Sequence, residues 1–240
     1  MGLHLYSYQT GVLRTIPRYN DPVKFIPIRG EMTAVQYTIG VDFDNTIAGY
    51  DDLIFKVAFE KGLIKSNIQK SKKVIRDAIR LLPDGEIEWQ KIQAEIYGPR
   101  MDDAELIEGV KEFFQNCRGH KIYVISHKTE FANLDISGIN LRKSAMKWME
   151  LNGFFDRDGM GLVPKNVFFE PTRQRKIQRI VDMECTHFID DLEETFNEHS
   201  FPKKVEKILF VPHGNNSSRT SHLTFKNWKE INHYFFDRKS

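Results

Sequence analysis

The chain has 240 residues, of which 40% are hydrophobic and 28% charged, a globular composition long enough to bury a sizeable core without cross-links. Its two cysteines, Cys117 and Cys185, exclude a disulfide framework, and its formal net charge of +2 gives no electrostatic footprint for nucleic acid or an acidic membrane. No run approaches the ~20 consecutive apolar residues of a membrane span, and the first residues lack a signal peptide, so a cytoplasmic protein is expected.

Residues 1–36 are rich in turn formers and proline and are expected to form an N-terminal extension, in which Val23 to Arg29 and Thr33 to Thr38 could pair as strands. Next comes Tyr37-Thr38-Ile39-Gly40-Val41-Asp42-Phe43-Asp44. An apolar run ending abruptly in acids predicts a buried parallel strand with a polar carboxyl edge. Residues 51–118 are predicted to be a helical insert without strands. Amphipathic spacing runs over Asp51 to Gly62, Lys70 to Leu82 and Ile87 to Tyr97, with breaks at Pro83-Asp84-Gly85 and Gly98-Pro99 and a returning helix over Asp103 to Cys117. Four more short strands follow, at Lys121 to Ile125, Val167 to Phe169, Thr186 to Ile189 and Lys207 to Val211. They are separated by helical patterns at Leu141 to Leu151 and Arg173 to Met183 and followed by one at Phe225 to Phe235. This alternation predicts an α/β fold, a Rossmann-like three-layer core with a parallel sheet, made from residues 37–50 and 119–240. Ligands of such sheets bind beyond the carboxyl ends of the strands, so the residues just after each strand matter most.

Four of those strand ends carry candidate chemistry. Asp42 and Asp44 share one side of an extended chain. Two carboxylates that close repel unless a cation lies between them. Another strand ends in Ile189-Asp190-Asp191, on the same sheet edge, and one Asp would have sufficed for a helix cap. Four acids at one edge argue for an oxygen-preferring divalent cation such as Mg²⁺. The strand ending in Val124-Ile125 delivers Ser126 and then His127, a hydroxyl leading into backbone N–H groups that suit a phosphate oxygen; Ser126 also reads as a plain helix cap, and His127 as a rim residue. Thr172 is a candidate N-cap for a helix whose first turn holds Arg173, Arg175 and Lys176. Positive charge there opposes the helix dipole, so an anionic partner is expected, and Lys176 begins the apolar face with its ammonium free to reach the acids.

These pieces in this order resemble the haloacid dehalogenase superfamily of Mg²⁺-dependent phosphohydrolases. The resemblance covers roughly residues 38–50 and 120–211. It rests on Asp42-Phe43-Asp44-Asn45-Thr46 as the D-x-D-x-T signature, Ser126 as the hydroxyl after a strand, Lys176 as the helix-start cation and Asp190-Asp191 as the acidic pair. The resemblance implies Asp42 as nucleophile, Asp44 as general acid and base, and Lys176 at the phosphate, a role Arg173 or Arg175 could also fill. It implies Mg²⁺ held by Asp42, the main-chain carbonyl of Asp44, Asp190 and Asp191, with Thr46, Ser126, His127 and Arg173 binding substrate. The insert at 51–118 then matches a helical cap that closes over small substrates. Tyr97 and Arg100, flanking the Gly98-Pro99 break, could face the site, although a plain turn between elements is the simpler reading.

The leading expectation is a phosphatase acting on a small phosphorylated metabolite. Dehalogenation is disfavoured, because it needs a nucleophilic Asp but no metal, and kinase-like transfer lacks its G-x-x-x-x-G-K-[ST] loop. The rivals are a phosphatase acting on nucleic-acid ends or protein, and a non-catalytic binding protein on the same fold. For the last, Pro212 to His222 and the basic C-terminal helix would be partner surfaces.

Overall fold

The structure is a computed structural model that describes residues 36–133, 138–212, 214 and 222–237. The N-terminal extension apart from Gln36, its proposed strand pair up to Val35, and most of the Pro212–His222 segment lie outside the described residues.

Six strands form one parallel sheet in the order β5-β4-β1-β6-β7-β8. They are β1 (Thr38–Val41), β4 (Lys121–His127), β5 (Val167–Glu170), β6 (His187–Asp190), β7 (Glu206–Phe210) and β8 (Leu223–Phe225). All four residues of β1 are buried, as a central parallel strand covered on both faces requires. The pleat divides neighbouring residues between two cores. Val124, Ile189, Ile208 and Phe210 belong to one; Ile125, Phe188 and Leu209 belong to the other. The first core is closed by α4 (Val110–Asn116), α5 (Leu141–Leu151) and α8 (Trp228–Phe236), the second by α6 (Arg173–Asp182) and α7 (Glu193–Asn197). Helix, sheet and helix make the three layers.

Caps set the helix starts. The Thr172 hydroxyl accepts from the Arg175 N–H at 3.1 Å, Asn140 caps α5, and Asn227 caps α8. The last of these corrects the sequence reading, which began this helix at Phe225: α8 starts at Trp228, and Phe225 ends Leu223–Phe225, a sixth strand beside β7. Three residues are too few to display a period, so only the pairing partner identifies them.

Between β1 and β4 lie α1 (Asp51–Glu60), α2 (Lys72–Arg80) and α3 (Gly85–Tyr97), whose buried faces join the first core. The expected helix from Asp103 is shorter. Met101–Asp103 is a 3₁₀ turn, and β3 (Glu105–Leu106) pairs antiparallel with β2 (Ala48–Gly49) before α4 begins. The insert therefore contains a strand after all, two residues long. Trp148 Nε1–H donates to Ala104 O, and Trp228 Nε1–H to Thr46 O, both at 2.9 Å, tying these connections to the helical layer. Among the described residues, no helix is long and apolar enough to cross a membrane.

Gly40, in the middle of β1, is required by close approach. A Cβ there would lie 2.6 Å from Cδ2 of Phe188 and 3.1 Å from Sγ of Cys185. Gly40→Ala is expected to destabilise the protein by ~1–3 kcal/mol, the usual cost of overpacking, read as a lowered urea midpoint with an unchanged slope.

Candidate active site

β1 ends at Val41, but the ladder continues for one bond: the Asp42 N–H donates to Ile189 O at 2.8 Å. That bond sets Asp42 beside Asp190, the last residue of β6. α6 presses Lys176 between them. Its ammonium, in a residue only 2% exposed, lies 2.5 Å from Asp42 Oδ1 and 2.7 Å from Asp190 Oδ2. The other oxygen of Asp190 accepts the Leu192 N–H at 3.0 Å. Asp191, the next residue, completes an acidic group: carboxylate oxygens of Asp42, Asp190 and Asp191 all lie within 4.8 Å of one another.

Burial of this group has electrostatic consequences. Loss of solvation pushes the Asp42 carboxyl up to about 7; the Lys176 ammonium pulls the other way, and Asp190 and Asp44 add to the rise. Burial likewise holds Asp191 well above the usual carboxylate range, reinforced by Asp190 and Asp42. Burial works against the charge on Lys176, but Asp190 and Asp42 outweigh it and raise its affinity for the proton. One ammonium thus faces three carboxyls, two of which resist ionising. A hard divalent cation on Asp42, Asp190 and Asp191 would relieve that imbalance, and carboxylate oxygens are ligands that such an ion accepts. The side chain of Asp44, proposed as part of the metal site through its carbonyl, stands outside this group.

Asp44 has partners of its own. Tyr50 donates its hydroxyl to Asp44 Oδ1 at 2.6 Å, and Lys128 Nζ lies 2.9 Å from the same carboxylate. Lys128 is 4% exposed, with its ammonium 4.7 Å from the centroid of the Tyr97 ring and 5.5 Å from that of Phe43.

A cavity of about 330 Å³ opens over these groups. Asp42, Asp44, Lys176 and Asp191 line it from the sheet edge, with Ser126, His127, Lys128 and Thr129 following β4. The insert contributes Lys72 from α2 and Gln90, Gln93 and Tyr97 from α3. Seven of the nine proposed residues thus come together: Asp42, Asp44, Ser126, His127, Lys176 and Asp191 line the cavity, and Asp190 is joined to them through Lys176. His127 Nε2 is 3.2 Å from Pro171 O, and burial lowers its affinity for a proton, leaving a neutral ring at the rim.

Two proposed substrate contacts do not reach the cavity. Thr46 is fully buried elsewhere, because Asn45 adopts a left-handed backbone (φ +57°) and the chain folds back, with Ile47 and Ala48 N–H groups donating to Phe43 O. Its hydroxyl has no hydrogen-bond partner among the described residues. Arg173 pairs with Glu198 at 3.1 Å instead, and Arg175 is exposed, which leaves Lys176 as the cation at the acids. Of the two readings open for Tyr97 and Arg100, Arg100 pairs with Glu60 and Asp103 and does not line the cavity, whereas Tyr97 lines it, with its ring against Lys128.

Sequence reasoning passed over Lys128, Tyr50, Lys72, Gln90 and Gln93. For Lys128 the signal was present: it lies two residues after Ser126, and the alternation that groups Asp42 with Asp44 groups these two as well. The others depend on how the insert packs, which no local pattern encodes.

No protein-family model matches the chain, and no curated protein matches it in sequence. Solved structures do. A haloacid dehalogenase-like family hydrolase from Streptococcus pneumoniae aligns over 83% of this chain and 98% of its own, with a TM-score of 0.54 and 13% identity. A HAD family hydrolase from Deinococcus radiodurans R1, solved with bound phosphate and sodium, aligns over 84% of this chain and 96% of its own, with a TM-score of 0.50 and 11% identity. The chain therefore has the haloacid dehalogenase-like fold.

The raised Asp42 carboxyl makes a stability prediction. Its folded value of about 7 exceeds its unfolded value of 3.8, so between these pH values the folded protein holds a proton that the unfolded chain has lost. In EDTA, stability should fall as pH rises through that window, and less steeply in Asp42→Asn. Saturating Mg²⁺ should flatten the wild-type slope and raise stability above it. Urea midpoints measured across pH, with and without Mg²⁺, check both.

Proposed function

We propose that this protein is an Mg²⁺-dependent phosphatase that hydrolyses a small phosphomonoester through an aspartyl-phosphate. The observation that carries the reading is the buried constellation of Asp42, Asp190 and Asp191 around Lys176, beneath a cavity that also presents Asp44 and Ser126. The bound phosphate of the Deinococcus hydrolase, which shares the fold, supports a phosphoryl group as the ligand. Asp42, Asp190 and Asp191 would hold Mg²⁺, which when bound offsets the repulsion between a carboxylate nucleophile and a phosphate dianion.

In the first step an Asp42 oxygen attacks phosphorus in line, the phosphorus–oxygen bond to the leaving group breaks, and an aspartyl-phosphate forms. Lys176 fixes the carboxylate from Oδ1 and leaves Oδ2 without a hydrogen-bonding side chain among the described residues. Asp44, as general acid, passes a proton to the departing oxygen. In the second step Asp44, now ionised, takes a proton from water as that water attacks phosphorus; the acyl-phosphate bond breaks, inorganic phosphate leaves, and Asp42 is restored. Tyr50 and Lys128 hold the Asp44 carboxylate in place between the two roles. The Ser126 hydroxyl and Lys176 stabilise charge on the equatorial phosphoryl oxygens, a kind of contact worth ~10²–10³ in rate per donor. The insert serves as a cap: Tyr97, Gln90 and Gln93 cover the cavity and keep bulk water from the reacting groups. Its size suits a metabolite rather than a nucleic-acid end or a folded protein. Both cysteines are buried and unpaired, which agrees with a reducing compartment such as the cytoplasm.

Asp42→Asn is expected to reduce turnover of p-nitrophenyl phosphate in Mg²⁺ to background while the fold persists. Asp44→Asn should release about one equivalent of p-nitrophenol per enzyme in a burst and then stall, because the good leaving group dispenses with the acid but the second step still needs the base. Stopped-flow absorbance reads both. Wild-type turnover that is unaffected by EDTA would contradict the metal, and an active Asp42→Asn would contradict the nucleophile.

A further inference from the structure

The charges around the cavity do not balance residue by residue. Lys176 is matched by Asp42 and Asp190, and Lys128 by Asp44, at 2.5 to 2.9 Å. The third lysine, Lys72, has no carboxylate within ion-pair distance among the described residues. Its ammonium rests 3.2 Å from the Tyr97 hydroxyl and 5.9 Å from the centroid of that ring. Burial opposes its charge, but Tyr97 and the more distant Asp191 and Asp44 keep it protonated. Half-buried at the first position of α2, it lines the cavity from the insert. The remaining lining from the insert is Gln90, Gln93 and Tyr97, so no acid stands on that wall. Once Asp191 is engaged by a cation, the compensation that Lys72 draws from it weakens further. A half-buried ammonium flanked by neutral donors is a receptor for an anion.

We infer that the preferred substrate carries a second anionic group, a carboxylate or a second phosphate, on the portion that departs from phosphorus, and that Lys72 pairs with it. The inference rests on the phosphatase reading, which places the reacting phosphate over Asp42 and the leaving group toward the insert. Lys72 is then a specificity residue: Gln90 and Gln93 line the cavity from the same insert without bringing charge, and a neutral leaving group leaves its half-buried ammonium without a counter-charge. A merely structural role, the tether from α2 to α3 through Tyr97, would make Lys72 matter for stability but not for the choice between substrates.

The test compares matched pairs of phosphomonoesters with the Mg²⁺-loaded enzyme: glycerol 3-phosphate against 3-phosphoglycerate, glucose 6-phosphate against 6-phosphogluconate, and fructose 6-phosphate against fructose 1,6-bisphosphate. The expected result is a kcat/KM about 10- to 100-fold higher for the anionic member of at least one pair, the worth of one charge-assisted hydrogen bond. In Lys72→Met that ratio should collapse toward one, in Lys72→Gln likewise, and in Lys72→Arg it should persist. Circular dichroism establishes that each variant is folded. Turnover of p-nitrophenyl phosphate with no pair favouring its anionic member, or a preference that survives Lys72→Met and Lys72→Gln, overturns this inference alone. Absence of turnover on every phosphomonoester, aryl phosphate included, overturns the phosphatase reading and this inference together.

Discussion

One ammonium group holds this structure's sheet edge together. Lys176 reaches across from α6 to bind the side chains that end β1 and β6, 134 and 14 residues away in sequence. Both carboxyls are buried, and burial of unpaired acids costs several kcal/mol each. The bridge therefore joins the geometry of three elements. If α6 shifted along the sheet by one helical turn, Lys176 would leave Asp42 and Asp190 facing each other. The same contact orients the proposed nucleophile, because it occupies one oxygen of Asp42. Lys176 satisfies two acids, however, and the third, Asp191, retains its proton too strongly for an ordinary carboxyl. The remaining demand is for positive charge, which a divalent cation could supply.

A second balance operates above the first. Asp44 is held by Tyr50 and Lys128, and Lys128 is in turn roofed by Tyr97 from the insert. The helical insert thus contacts the sheet edge through a cation and a ring. Movement of α3 would change the surroundings of Lys128, and through it those of Asp44.

The parallel sheet was legible because buried strands such as Thr38–Val41 are apolar and end in acids, and because all such ends share one edge. That rule brought Asp42, Asp44, Ser126, Asp190 and Asp191 to a single place without knowledge of any tertiary contact. Lys176 was legible as a cation on the wrong end of a helix dipole that needed an anion. What stayed hidden depends on packing. Thr46 follows Asp44 by only two residues, yet the left-handed Asn45 turns it into the interior; Arg173 precedes Lys176 by three, yet Glu198 takes its guanidinium. Lys72 and Tyr97 belong to helices whose periodicity fixes which face is buried but not what that face covers. Strand β8 is too short to carry a period at all, and only its partner β7 defines it.

The central claim is that the acids at this edge await a divalent cation, and proton release tests it most directly. Titrating Mg²⁺ calorimetrically into EDTA-stripped protein near pH 6.5, in two buffers of different ionisation enthalpy, counts the protons expelled on binding. The account predicts a single site that releases protons from Asp42 and Asp191, with both binding and release lost in folded Asp190→Asn. Folded wild-type protein that takes up no Mg²⁺, or that takes it up without releasing protons, would contradict it.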